Sequence, residues 1–145
     1  MKWITRERPK IDRIACPWLI ARFIDPAPEF LYVPAAEVMK VAAATGATPY
    51  DVGGVALGHH GDRCSFDAFI EKYRLGDVAL ARLAQIVRAA DTGKPEAAPE
   101  APGLLAISRG LSANFRDDHE MLAHGMVVYD ALYAACGGHL PRAKP

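Results

Sequence analysis

The run Asp12-Arg13-Ile14-Ala15-Cys16-Pro17-Trp18-Leu19-Ile20-Ala21-Arg22-Phe23-Ile24-Asp25 restricts the fold more than any other part of the chain. It places a proline in the middle of a helical apolar pattern. Proline lacks an N–H and its ring clashes with the preceding turn, so it belongs at the first helical position. The pattern therefore predicts a helix from Pro17 to about Ile24, with Cys16 at or beside its N-cap and Ile11 to Ala15 extended. Cysteine is a poor cap. A thiol at a helix N-terminus has a lowered pKa and is a better nucleophile or ligand, and Arg13 and Arg22 add positive charge. Two readings stay open: an anion or metal site on a helix start, or a buried Cys and Trp anchoring the first helix.

The chain of 145 residues suits one domain with a true core, and we assign residues 1–136 to it and 137–145 to a flexible tail. Lys plus Arg equals Asp plus Glu at 17 each, which argues against a broad nucleic-acid surface. Cys16, Cys64 and Cys136 are odd in number and far apart, so no disulfide framework is expected. Charges at Lys2, Arg6, Glu7 and Arg8 replace the apolar run of a signal peptide, and no stretch has the length of a membrane span. A cytoplasmic location is the expectation.

Short strands are predicted at Trp3-Ile4-Thr5, at Glu29 to Val33 and around Thr48 to Val55. Helices are expected from Ala35 to Thr45, ended by Gly46, from Phe66 to Tyr73 with Ser65 as cap, and from Val78 to about Ala90 with Asp77 as cap. A loop from Thr92 to Pro102 precedes an amphipathic helix around Leu104 to Leu111. Asp117, with Glu120 at capping-box spacing, opens the last helix, which runs to about Cys136. That helix carries two apolar faces and should be central to the core. The class is α+β, predominantly helical, with five to six helices and a small β-sheet of short strands.

Polar chemistry gathers at three places. Gly58-His59-His60-Gly61 is a glycine-bounded loop that lets the backbone approach a ligand closely. Asp91 continues the apolar stripe Leu80, Leu83, Ala84, Val87, so it either finds a partner or a metal or lies past the helix end, exposed. Glu120 and His124 share a helix face. They can bind one metal or make a surface or capping contact. His119 and His124 are five apart, so the zincin signature is absent. No G-x-S-x-G, P-loop or dinucleotide glycine turn occurs.

The segment Arg8-Pro9-Lys10-Ile11-Asp12-Arg13-Ile14-Ala15-Cys16-Pro17-Trp18-Leu19-Ile20 resembles the opening motif of the bacterial chromate-resistance family. Further matches follow in order: Leu57-Gly58-His59, Cys64 to Phe69, Ala90-Asp91-Thr92, Leu104 to Ser108, Asp117 to Leu122, His124-Gly125-Met126 and Tyr129 to Tyr133. In that family the domain forms the C-terminal half of a chromate-responsive regulator, stands alone or is fused to a rhodanese-type domain. The resemblance implies a role in chromate resistance, with a regulator or rhodanese-type partner. Chromate is a tetrahedral dianion, which a helix start flanked by arginines suits. The combined expectation is an oxyanion site of Arg13, Cys16, Trp18 and Arg22, with Cys16 and Arg13 as the chemical groups. A divalent metal would be held by His59, Asp91, Glu120 and His124. A sensor or binding domain leads; a metal-dependent or thiol-based enzyme, such as a chromate reductase, and an adaptor for a regulator or transporter are the alternatives.

Overall fold

A computed structural model describes residues 1–140; residues 141–145, the end of the segment read as a tail, lie outside the described residues. The order is β1 (Lys2–Arg6), α1 (Ile11–Leu19), β2 (Glu29–Val33), α2 (Val38–Thr45), β3 (Thr48–Pro49), α3 (Ser65–Lys72), α4 (Val78–Asp91), α5 (Ala101–Asn114) and α6 (Asp118–Ala135). The domain is α+β and mostly helical. The three strands form one parallel sheet in the order β2-β1-β3. Parallel neighbours need crossovers, and α1 and α2 supply them. The chain steps from β1 to β2 on one side, then to β3 on the other. This makes the carboxyl end of the β1–β3 boundary a topological switch point, where open α/β sheets place ligands.

The first helix corrects the expectation drawn from Pro17. α1 begins at Ile11, and Pro17 lies inside it. Ile11 to Ala15 is therefore helical, not extended, and Cys16 is no cap. Proline at position 17 leaves the Arg13 carbonyl without its usual i+4 donor. The Tyr32 hydroxyl of β2 donates to that carbonyl at 3.3 Å. The helix continues because a neighbouring strand takes over the lost bond. Past Leu19 the chain widens into a π-helical turn, Ile20–Ile24, closed by Asp25 N–H to the Ile20 carbonyl at 2.8 Å.

β2 spans the residues expected, and α2 ends at Gly46 after a 3₁₀ turn at Ala35–Glu37. Asp77 caps α4 by accepting from Leu80 N–H, and Asp117 caps α6 by accepting from Glu120 N–H. α3 differs at its start: Cys64 is the N-cap residue, and Asp67 at N3 accepts from the Cys64 N–H at 3.0 Å. Ser65 is thereby free for a task at the site.

The main core unites α1, α3, α4 and α6 around Trp18, which lies against Phe23, Phe66, Tyr129 and Tyr133. α6 is central: Met121, Leu122, Tyr129 and Tyr133 are buried, Met126, Val128 and Leu132 pack half-buried against the same core, and Val127 is 67% exposed. α6 meets α1 at Gly125, where an added Cβ would stand 2.5 Å from Ile14 Cγ2.

Two stability outcomes follow from α1. Tyr32→Phe should cost about 1 kcal/mol in urea denaturation. The loss should shrink in a Pro17→Ala background, where the residue-17 N–H can take the Arg13 carbonyl. Gly125→Ala should destabilise by about 1–3 kcal/mol through overpacking; an unchanged midpoint would show that α1 and α6 separate readily.

Candidate metal centre

Four chain segments converge at the switch point. Asp12 stands in the first turn of α1, where the helix dipole favours a carboxylate. Asp51 follows β3 with a left-handed backbone (φ 49°), held by its N–H to the Leu57 carbonyl at 2.9 Å. That return packs the loop tightly: a Cβ at Gly58 would meet the Val52 carbonyl oxygen at 2.8 Å. His59 comes next, and Asp91 closes α4. α3 binds the pieces together. The Ser65 N–H donates to Asp12 Oδ2 at 2.7 Å, and its hydroxyl donates to Asp51 Oδ1 at 2.8 Å.

His59 Nε2 lies 2.7 Å from Asp91 Oδ2, 3.3 Å from Asp51 Oδ1 and 3.4 Å from Asp12 Oδ2. Ligand atoms of Asp12, His59 and Asp91 all fall within 4.8 Å of one another. Asp12 is 1% exposed, and its Oδ1 is buried without a hydrogen-bond partner. A buried carboxylate oxygen left bare is costly, and the cluster has the ligand types that could hold a cation. Arg13 Nε reaches Asp51 Oδ2 at 3.4 Å, and Arg6 Nη2 reaches the same oxygen at 3.6 Å. His59 and Asp91 face an open pocket of about 870 Å³, with Arg88 and Lys94 in its wall.

The electrostatics follow from burial and crowding together. His59 is pushed up to about 9 by its hydrogen bond to Asp12 and by the charges of Asp91 and Asp51, against a smaller opposing effect of burial. Asp91 is raised to about 7 by burial and by the carboxylates of Asp12 and Asp51. Asp51 is raised by burial and by Asp12, with the Ser65 hydrogen bond opposing.

The residues singled out from sequence divide. His59, Asp91 and Arg13 come together. Cys16 lies beneath the site, fully buried, and burial raises its thiol pKa well above the ordinary value rather than lowering it. This corrects the activated thiol expected at a helix start: mid-helix, the group gains nothing from the dipole. Trp18 and Arg22 are drawn elsewhere, both to Asp130 of α6, with Trp18 Nε1 at 2.7 Å and Arg22 bidentate at 3.0 and 2.9 Å. The four members of the expected oxyanion set are thus not gathered. Glu120 is exposed in the first turn of α6. His124 stacks on Phe115 at 4.3 Å between ring centroids and lines an apolar hollow with Ile107 and Val127. Neither belongs to the ligand cluster around His59.

Asp12, Asp51 and Ser65 join the site without having been among the sequence candidates for it. Once α1 is started at Ile11, Asp12 becomes a first-turn carboxylate one turn before Cys16 on the same buried face. That was the available signal. Asp51 had none beyond its place after a strand.

The raised pKa values give a direction with pH. His59 titrates higher folded (about 9) than its ordinary 6.5. Its contribution is complete below the lower value and is lost as pH climbs through the higher. Asp91, at about 7 against 3.8, is destabilising once ionised, and that effect accumulates between those two values. Both trends have the same sign. In chelator, thermal stability should fall steadily from pH 5 to pH 9, and His59→Gln should flatten the upper part of the curve. A flat wild-type profile would contradict the cluster.

Residues 3–136 match the family described as "ChrB, C-terminal domain". Among curated proteins, Protein ChrB of Cupriavidus metallidurans is 36% identical over 133 residues, covering 91% of this chain. The match takes in only 40% of that protein's length. No solved structure matches the chain. With its α1 motif, His59 loop and α4 end all inside the matched range, the chain belongs to the ChrB C-terminal domain family.

Proposed function

We propose that this domain serves chromate resistance by holding a divalent cation between Asp12, His59 and Asp91, with Asp51 beside them. The association with chromate rests on the family; the grouping of Asp12, His59 and Asp91 supports the cation. The observation that carries it is the Asp12 carboxylate, which is grouped with His59 and Asp91 while its Oδ1 is buried and unpartnered. Carboxylates with one imidazole and no thiolate suit a cation such as Mn²⁺, Fe²⁺ or Zn²⁺ better than a soft one. Cys16 and Cys64 are buried and stand outside the ligand cluster. Bound there, the cation supplies a Lewis-acid centre. The protein's part is orientation: Ser65 fixes the two buried carboxylates, and Arg13 and Arg6 offset their charge.

The cation-free cluster is a poor receptor for chromate itself, because a dianion would meet three carboxylates. No helix among the described residues is long and apolar enough to cross a membrane. All three cysteines are free, which fits the cytoplasm as the place of action.

Metal analysis and calorimetry test the proposal. Wild type should bind about one Mn²⁺ or Zn²⁺ per chain. Asp12→Asn, which keeps an acceptor for Ser65 N–H, should lose binding, and Ser65→Ala should weaken it roughly tenfold. Chromate titrated into cation-free protein should show no binding. Undiminished metal binding by Asp12→Asn would reject the site.

A further inference from the structure

The pocket in front of the cluster is far larger than a cation needs. Its volume of about 870 Å³ falls in the range of sites for small organic ligands. A five-atom oxyanion would leave most of it empty. His59 and Asp91 form part of its lining, whereas Asp12 lies buried. A cation held there would face the pocket.

The remaining wall carries Arg88 and Lys94, neutral side chains and one carboxylate, Asp62. Arg88 is held by Asp67, with Nε at 2.8 Å and Nη2 at 2.7 Å from its carboxylate oxygens. Its Nη1 makes no hydrogen bond among the described residues. Asp67 is 1% exposed and also accepts from the Cys64 N–H, so the guanidinium is anchored to the start of α3. Lys94 forms no ion pair among the described residues, and its backbone N–H is tied to the Ala89 carbonyl at 3.2 Å. Gln85 and Ala89 of α4 add neutral surface, and Asp62 is the one opposing charge beside Asp91.

We propose that this pocket takes a small organic anion, its charged end on the cation held by Asp12, His59 and Asp91 and its charge paired with Lys94 and Arg88. The inference rests on the cation reading above and names the ligand class of the same site. Order of binding follows from charge. Without the cation, three carboxylates oppose an anion; with it, the cation and the two basic side chains attract one. The body of the ligand, not only its charge, occupies the pocket.

Water-proton relaxation of the Mn²⁺-loaded full chain reads both events separately. Mn²⁺ addition reports the cation; a later fall in relaxivity reports an anion displacing metal-bound water. Glycerol 3-phosphate and succinate serve as organic probes with phosphate and carboxylate heads, and inorganic phosphate and chromate as bare oxyanions. At least one organic probe should lower relaxivity at concentrations where the bare oxyanions do not. Lys94→Gln should raise the concentration needed roughly tenfold while leaving Mn²⁺ affinity unchanged. If Mn²⁺ binds but neither organic probe acts, if bare oxyanions act equally well, or if Lys94→Gln changes nothing, the anion proposal fails and the cation site stands. If Mn²⁺ does not bind, both fall.

Discussion

The Asp12 carboxylate, buried at the start of α1 and held by Ser65 N–H at 2.7 Å, is the contact on which the rest of the site depends. A buried charge without compensation is strongly unfavourable. Here the compensation comes from separate parts of the chain: the first turn of α3, the imidazole of His59 and the dipole of α1. Ser65 also holds Asp51 through its hydroxyl, so one residue sets the spacing of two like charges. Burial raises the pKa of Asp51 and Asp91, and the like charges held close to them raise it further. A fold that keeps three carboxylates together stores a demand for positive charge. Arg13, Arg6 and protonated His59 meet it in part.

The sheet explains why these groups meet where they do. β1 lies between two parallel partners, and the chain leaves it through α1 and returns to its other side through β3. The segments after β1 and β3 then emerge at the same edge, delivering Arg6, Asp12 and Asp51 to one spot. Pro17 belongs to the same construction. Its missing N–H would weaken α1, but the Tyr32 hydroxyl takes the freed carbonyl and ties the helix to β2. Trp18 and Arg22, one and five residues on, pull the other face of this segment onto Asp130 of α6. The motif from Arg8 to Ile20 is therefore two things at once. Its early residues build the site, and its later ones anchor the helix.

Much of the local structure was readable without coordinates. The span of β2, the Gly46 stop of α2 and the Asp77 and Asp117 caps each follow from a residue type whose local chemistry admits few conformations. His59 and Asp91 were readable as candidates for similar reasons, one in a glycine-bounded loop and the other at the end of a buried stripe, and the fold brings them together. The start of α1 was not. Proline's rule is local, and it was overridden by a hydroxyl donated from a strand 15 residues further along the chain. That single displacement put Cys16 at a helix end it does not occupy and left Asp12 out of account.

Sequence alone determined the helical, mixed class, the strands and caps, and the family to which the domain belongs, because these depend on patterns within a few residues or along one continuous match. Only the tertiary structure decided the site. Asp12, Asp51, His59 and Asp91 span most of the first two-thirds of the chain, and their meeting depends on strand order and on Ser65. It also decided that Cys16 is buried scaffold beneath the cluster, since a thiol's acidity is set by its surroundings. The stretch around Pro17 is thus still the organising segment, and the residue it brings to the cluster is Asp12, while Cys16 is buried.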